Sequence, residues 1–201
     1  MAQFVEKIDS FGVPIFSFNK MLERLDVAGK FLSTFSPENV VVFSTLDKAE
    51  KSIERFATVT GCHSTYGRLY PGTFTNPQMK HYIETQILVL TDPMNGAEMK
   101  EEVKLERKRE ARAMDEASIA GIPIIAFCNT NASLENVDLV IPMNNRGTKA
   151  LAVGFYLLAR AVLIHQGLLK PEEDAFAVES FETPLKEEKE DHSESDDSSK
   201  P

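Results

Sequence analysis

Short apolar runs along the chain alternate with segments of mixed polarity. The runs lie at residues 13–18, 39–44, 86–91, 122–127 and 138–141. Each has a length typical of a strand, and the uninterrupted NVVVFS run at 39–44 favours a strand buried on both faces. A further short strand is compatible with residues 62–66. The pattern therefore predicts five main strands and is compatible with a sixth, short strand.

Between these runs, apolar residues recur three and four positions apart, as on one face of an amphipathic helix. This spacing predicts helices over 20–35, 47–60, 98–120 and from the loop 144–149 to Gly167, with a weaker helical pattern at 78–82. Glycine follows the second and third helices, where it commonly ends a helix. Strands that alternate with helices predict an α/β fold whose parallel sheet is covered on both faces.

The segment 98–120 is the most charged part of the body of the chain. It holds six Lys or Arg and seven Asp or Glu residues, and apolar residues are sparse before Met114. Because opposite charges recur at helical spacing, they favour a solvated, self-paired face over an RNA-binding one. We therefore predict a charged helix near 97–114 that projects into solvent, followed by a second half that packs against the sheet.

Composition places the chain among ordinary globular proteins, and charge divides it into two parts. It has 201 residues, 42% of them hydrophobic, and a net charge of -9. From Pro171 onward there are twelve acids and three bases, whereas residues 1–170 carry equal numbers of both. This predicts one α/β domain over 1–170 and a disordered acidic tail over 171–201. No membrane-length apolar run and no export signal are evident, so we expect a cytoplasmic protein without a membrane partner.

Candidate catalytic chemistry is sparse. Asp92 follows a predicted strand and is a candidate general base, but the same residue type commonly shapes a turn before a proline such as Pro93. The second reading is favoured because no histidine, cysteine or second acid stands at a comparable position to act as its catalytic partner. Cys62 and His63 are adjacent, so on a strand their side chains diverge. With no nucleotide-binding glycine motif and only two distant cysteines, the sequence predicts neither a cofactor nor a metal site.

Two polar loops are better candidates for a binding surface. The loop GRLYPGTFTNP occupies 67–77, and NNRGTK occupies 144–149 at the start of the last helix. A helix N-terminus presents free N–H groups and favours anions. The cations Arg68, Lys80, Arg146 and Lys149 are therefore candidate phosphate contacts, although each alone is equally an ordinary solvated charge.

Several motifs together resemble a known family. They are GRLYPGTFTNP (67–77), LVLTDP (88–93), EASIAGIPIIAFCNTN (116–131) and VDLVIPMNNRGTKALAVGFYLLARAVL (137–163). Their order and spacing resemble those of the small-subunit ribosomal proteins of the S-two family. The resemblance is to the archaeal and eukaryotic branch, which includes the laminin-receptor-like ribosomal protein, and it covers roughly residues 4–167.

The resemblance implies a three-layer α/β/α, flavodoxin-like fold with about five parallel strands, no catalysis and no cofactor. It also implies a structural role in the small ribosomal subunit, with ribosomal RNA and neighbouring ribosomal proteins as partners and a cytoplasmic, ribosome-associated location. The exposed polar loops then become the RNA-binding surface. The residues it points to are Arg68, Thr73, Thr75, Asn76, Lys80, Asn144, Asn145, Arg146 and Lys149.

The chain departs from the family pattern in three places. Family members carry about thirty further N-terminal residues, so the chain is expected to be short at this end. Residues 45–51 lack the arginine-containing run expected after the second strand, and 94–114 is longer than the usual connection. Two alternatives therefore stay open: a divergent relative that binds proteins away from the ribosome, and a flavodoxin-like enzyme that acts on a small molecule.

Overall fold

The computed structural model describes residues 1–93, 101–173 and 176–184, with the backbone alone over 101–109. Within them lie seven strands: β1 (Val5–Ile8), β2 (Pro14–Phe16), β3 (Val40–Ser44), β4 (His63–Tyr66), β5 (Ile87–Leu90), β6 (Ile124–Cys128) and β7 (Leu139–Pro142). The α-helices are α1 (Phe18–Leu32), α2 (Glu50–Thr60), α3 (Glu101–Ala120) and α4 (Thr148–His165). The four long helices predicted from periodicity are therefore all present, each with somewhat different ends.

Five of the strands form one parallel sheet in the order β4-β3-β5-β6-β7. Numbered along the chain within this sheet, the order is 2-1-3-4-5, the flavodoxin-like arrangement. Every residue of β3, β5 and β6 is buried, because helices or loops cover both faces of the central strands. The prediction of a parallel sheet buried on both sides is confirmed.

The segment 13–18, predicted as one of the main strands, does not join this sheet. Its central residues form β2, which pairs antiparallel with β1 in a separate hairpin. The hairpin closes locally, since Asp9 N–H donates to Val13 O at 2.9 Å and Gly12 N–H donates to Asp9 O at 2.9 Å. A parallel partner would have required a long crossover, whereas this connection has five residues, Asp9 to Val13. The edge position is taken by the strand at 63–66.

The predicted helical pattern at 78–82 also does not produce a helix. Met79 N–H donates to Asn76 O at 3.1 Å, and Tyr82 N–H donates to Met79 O at 3.1 Å. These are successive turns within a long connection between β4 and β5. The connection is held to α3 because Phe74 is buried in the core that α3 shares with β3, β5 and β6.

Two hydrophobic cores lie on opposite faces of the sheet. On one face α1, α2 and α4 pack together, with Phe155 of α4 in edge-to-face contact with Phe56 and Phe127. On the other face lie the second half of α3 and the connection that carries Phe74. The three-layer α/β/α architecture expected from the family resemblance is therefore present. The predicted projection of the charged half of α3 concerns side chains outside the described residues.

Helix α4 corrects one expectation about membranes. In the part of the chain that the structure describes, its 18 residues are long and apolar enough to span a membrane by length and composition. Its apolar side chains are used inside the protein, however, since Leu151, Phe155 and Leu158 are fully buried against the sheet and its neighbouring helices. Packing inside the protein therefore accounts for the apolar composition of this helix.

The predicted tail also begins later than expected. Residues 178–181 form a short 3-10 helix, and Phe181 is completely buried. The Ser52 hydroxyl donates to Phe181 O at 2.7 Å, so the segment is bound to α2 as well as packed on α4. The prediction of disorder from Pro171 is therefore wrong for residues 176–184. Residues 174–175 and 185–201 of that predicted tail lie outside the described part.

Candidate nucleic-acid interface

In a sheet with this strand order, ligands commonly bind at the carboxyl edge where the chain reverses direction, here between β3 and β5. That position is occupied by buried polar side chains, which we call the switch-point cluster: Ser44, Thr45, Thr91, Asp92, Glu110 and Asn145. Ser44 and Thr91 share a hydrogen bond of 2.5 Å between their hydroxyl oxygens. Since all six residues are at most 3% exposed, the crevice is filled from within.

Glu110 enters the cluster from α3. Its Oε1 accepts hydrogen bonds from Thr45 N–H at 3.0 Å and from the Thr91 hydroxyl at 3.2 Å. Burial raises the pKa of its carboxyl to about 8, an effect that the two hydrogen bonds oppose and the nearby Asp92 carboxylate reinforces. The helix thus inserts a largely neutral acid where an open α/β site would hold its ligand.

Asn145 holds the loop after β7 against the neighbouring strand ends. Its side-chain amide donates to Thr91 O at 2.9 Å, to Phe127 O at 3.1 Å and to Asp92 Oδ1 at 3.2 Å. The side chain is completely buried, so it is not a surface contact, and we remove Asn145 from the candidate RNA-binding set. Asp92 is 2% exposed, which leaves its carboxylate out of reach of a bound molecule.

Burial makes the thiols of the two cysteines poor nucleophiles. Burial raises the pKa of the Cys62 thiol to about 11 and that of Cys128 to about 12. A thiol at such a pKa supplies little of the reactive thiolate at neutral pH. His63 is exposed on the edge strand while Cys62 is half-buried, in keeping with the diverging side chains expected of neighbours. Among the described residues, no group of three or more metal-binding side chains is placed to hold an ion.

The loop after β4 brings four of the predicted residues to the surface. Arg68, Thr75, Asn76 and Lys80 are all exposed. Thr73 is instead 3% exposed, and its hydroxyl donates to Tyr70 O at 2.6 Å, so its side chain shapes the loop and leaves the candidate set. The loop is fixed to α3 because Glu116 Oε1 accepts hydrogen bonds from Phe74 N–H at 2.9 Å and from the Thr75 hydroxyl at 3.1 Å.

The loop after β7 forms the second polar surface. Asn144, Arg146 and Lys149 are exposed around the first turn of α4. Arg146 N–H donates to Asn144 Oδ1 at 2.9 Å, which bends the chain before the helix. Gly147 occupies the N-cap position and offers no side chain to the helix N–H groups. These groups and two cations therefore share one exposed helix end, an arrangement that favours an anion.

The two surfaces begin where β4 and β7 end, at the carboxyl edge of the sheet, but not at one point. β4 and β7 are its two outer strands, four strand spacings apart, which corresponds to about 19 Å. They are therefore two separate surfaces. A small ligand cannot bridge them, whereas an extended polyanion can.

The chain is similar to proteins of one family. A family model described as "Ribosomal protein S2" matches residues 103–164. The chain is 41% identical over 174 residues to "Small ribosomal subunit protein uS2" of Aeropyrum pernix, which covers 87% of this chain and 78% of that protein. The chain belongs to the ribosomal protein S2 family. It is also 36% identical over 186 residues to the uS2 protein of Saccharolobus solfataricus, covering 92% of this chain and 74% of the relative. With the uS2 protein of Pyrobaculum aerophilum the identity is 38% over 183 residues, covering 90% and 81%.

The sequence did not predict three features of this S2-family chain: the burial of Glu110, the burial of Phe181, and the contact between Tyr70 and His81. Glu110 was assigned to a solvated face, yet it stands three, four and seven residues before Ala113, Met114 and Ala117, the packed stripe of α3. That spacing is the signal that places it inside. Phe181, an aromatic residue within an acidic segment, carried a comparable signal. Tyr70 and His81, which stack in the loop after β4, carried none because their contact depends on the loop's turns.

Proposed function

We propose that this chain is a structural constituent of the small ribosomal subunit and contacts ribosomal RNA through the two polar surfaces. The observation that carries the proposal is the identity of 36–41% to proteins named small ribosomal subunit protein uS2 over most of the chain. The exposed cations Arg68, Lys80, Arg146 and Lys149 support it, since cations on irregular loops commonly contact phosphates. A cytoplasmic, ribosome-associated location follows from the same proposal.

The β1–β2 hairpin supports a second kind of contact, with a neighbouring ribosomal protein. Phe11 at its turn is 88% exposed, and Ile8 and Val13 are 69% and 57% exposed. Exposed apolar groups concentrated in one small element are typical of protein–protein contacts. The same feature is the one that favours the alternative of a relative that binds proteins away from the ribosome.

The closed switch point argues against the enzyme alternative. A general base must come within hydrogen-bonding reach of its substrate, but Asp92 is buried and bonded to Asn145. Around it, Glu110 and the two threonines fill the crevice where a substrate would bind. The geometry therefore supports binding at the surface of this edge and no chemistry within it.

Sedimentation of the tagged chain through a gradient of cell lysate tests the proposal. We expect the chain to migrate with the small subunit at low salt and to be released at high salt, since screening weakens phosphate contacts. Migration as a free protein at low salt would contradict a ribosomal role. Capture of a defined non-ribosomal protein complex in that free fraction would support the alternative.

The helix-end contact is tested by removing its charge. We expect Arg146→Ala combined with Lys149→Ala to reduce incorporation into the small subunit while the free energy of unfolding stays unchanged, because both residues are exposed. The matched control is Lys30→Ala with Lys170→Ala, which removes two exposed cations at the opposite edge of the sheet. Equal incorporation of the two double variants would rule out the helix end as an RNA contact.

A further inference from the structure

Three side chains of the loop after β4 form an exposed stack that the family resemblance did not point to as a unit. The rings of Tyr70 and His81 are nearly parallel, with an interplanar angle of 13° and centroids 4.9 Å apart. The guanidinium carbon of Arg68 lies 5.4 Å from the centroid of the Tyr70 ring. We call this group the Arg68–Tyr70–His81 stack. It combines two aromatic planes with one cation.

The backbone of the loop, and not the stack itself, holds the three residues together. Ile83 N–H donates to Thr73 O at 3.0 Å, and Asn76 N–H donates to Gly72 O at 3.0 Å, so the chain returns on itself. Gly72 has a φ of +91°, and a Cβ there would stand 3.1 Å from Met79 Sδ. The turn thus brings Tyr70 beside His81 through close packing that needs a glycine. A platform ordered in advance loses little entropy on binding.

The stack faces solvent and lies outside the cores. Tyr70 is 45% exposed, and both Arg68 and His81 belong to the exposed class. Neither core includes Tyr70 or His81, although the neighbouring Leu69 and Ile83 pack against the core beside α3. The loop therefore packs these two partly buried aliphatic side chains against the core and leaves its two stacked aromatic rings outside. Exposed Lys80 lies next to His81 in the chain.

We propose that the Arg68–Tyr70–His81 stack is a platform for an unpaired base of RNA, with Lys80 near the phosphate of the same nucleotide. This inference rests on the proposed RNA-binding function and names the kind of RNA that the loop accepts. Unpaired bases commonly stack on tyrosine, histidine and arginine planes, which is how proteins hold single-stranded RNA. In a regular duplex the base faces are covered by their neighbours, so phosphate contacts alone would not explain two stacked rings.

The first test uses assembled small subunits that contain the full chain. Ultraviolet irradiation should link Tyr70 or His81 to a nucleotide, and the linked peptide should map to residues 67–82. Tyr70→Ala and His81→Ala should abolish this link, whereas Tyr70→Phe and His81→Phe, which keep a ring, should retain it. His63→Ala, a change of another exposed histidine, is the matched control. Links confined to other residues in subunits that contain the chain would overturn the proposal while leaving the ribosomal role intact.

The second test uses the purified full chain and does not depend on the ribosome. Its probe is a single-stranded adenine oligoribonucleotide of about ten nucleotides, within the range that stacking surfaces cover, beside a duplex of the same length. Binding is measured from the fluorescence anisotropy of the end-labelled oligoribonucleotide, because Tyr70→Ala and Tyr70→Phe each remove one of the four tyrosines of the chain. We expect Tyr70→Ala to bind the single strand roughly five- to a hundred-fold more weakly, with little change for Tyr70→Phe.

The outcomes of the two tests separate this inference from the proposed function. A chain that sediments with the small subunit, but whose Tyr70→Ala and Tyr70→Phe variants bind the single strand equally, has the function without the platform. A chain that sediments freely lacks the proposed function, and a ring-dependent preference for the single strand would then still support the platform. Equal binding of the single strand and the duplex by the unmodified chain would overturn it, as would selective loss of a neighbouring ribosomal protein in the ring-deleted variants.

Discussion

At the scale of single residues, the most consequential side chain is one that the sequence places in a charged helix. Glu110 is 1% exposed, and its Oε2 finds no hydrogen-bond partner among the described residues. Both facts favour the neutral acid, because an ionised carboxylate loses its hydration on burial. A neutral Glu110 can still join Thr45 and Thr91 through its other oxygen. The residue thus closes the switch point without adding a second full charge beside Asp92.

We predict that Glu110 makes the stability of the protein depend on pH. Its pKa is raised from 4.5 to about 8, so between these values the folded state retains a proton that the unfolded state has released. The free energy of unfolding should therefore fall as pH rises through this window, and the full loss should be present above about pH 8. Urea unfolding at several pH values, compared with Glu110→Gln, measures the effect.

The variant should flatten this pH dependence, since a glutamine side chain stays neutral throughout the window. Glu23→Gln removes one carboxylate from an exposed position of α1 and is the control for a general loss of charge. If Glu110→Gln and Glu23→Gln lose the same amount of stability between pH 5 and pH 8 as the unmodified chain, Glu110 does not carry the effect.

At the carboxyl edge, the structural role of a residue could be predicted from the sequence only where that role depends on its neighbours in the chain. Asp92 was interpreted as a turn residue because Pro93 follows it in the chain. Asn145 was placed on the surface because it sits in a polar loop, but its amide reaches three groups on two other strand ends. Such a bond joins residues 18 to 54 positions apart, and no local pattern records it.

At the scale of elements, α1 and α4 cross in close contact at Gly29 and Ala161. A Cβ built on Gly29 would stand 2.4 Å from the Cβ of Ala161 and 3.0 Å from its carbonyl carbon. The two helices can therefore approach each other only because residue 29 lacks a side chain. Gly154 of α4 is also crowded, but the atoms at 2.5 and 2.6 Å from its Cβ position belong to the flexible end of Met143.

We predict that Gly29→Ala destabilises the protein by about 1–3 kcal/mol, the usual cost of overpacking, although alanine favours a helix more than glycine does. Gly154→Ala is the matched control and should cost less, because Met143 can change its side-chain conformation. Adding Ala161→Gly to Gly29→Ala should recover part of the loss, since it removes the atom that clashes. Chemical denaturation of the three variants and the unmodified chain measures these differences, and equal losses for the two single alanine variants would contradict the account.

The elements themselves were largely predictable, and the exceptions have a common cause. The strands at 39–44, 86–91 and 122–127 were recognised because burial on both faces leaves an uninterrupted apolar run. The strand at 63–66 has an exposed or half-buried side chain at every position, so it lacked that signal. Residues 13–18 do form a strand, but an apolar run does not say which sheet it joins.

At the scale of the whole molecule, the described C-terminal segment completes the layer formed by α1, α2 and α4. Phe181 is fully buried and lies 6.1 Å from the Tyr156 ring of α4, measured between ring centroids, and 5.7 Å from that of Phe176. Arg55 Nε–H donates to Ser180 Oγ at 3.3 Å on the side of α2. The domain therefore extends past residue 170. The sequence did not predict this extension because the segment 171–201 is mostly acidic and polar and has only two aromatic residues, Phe176 and Phe181.

Two truncations separate the packed segment from the rest of the C-terminus, and they form our last prediction. Ending the chain after Pro184 removes only residues outside the described part, so the free energy of unfolding should stay close to that of the full chain. Ending it after Glu173 exposes the apolar surface under Phe181 and removes the bond from Ser52, so stability should fall. Phe181→Ala in the full chain should account for most of that fall, about 3–5 kcal/mol, as for other buried phenylalanines. Urea denaturation measures the stability of all three variants. The single substitution leaves every acid in place. If only the chain that ends after Glu173 lost stability, the effect would therefore come from charge or chain length and not from packing.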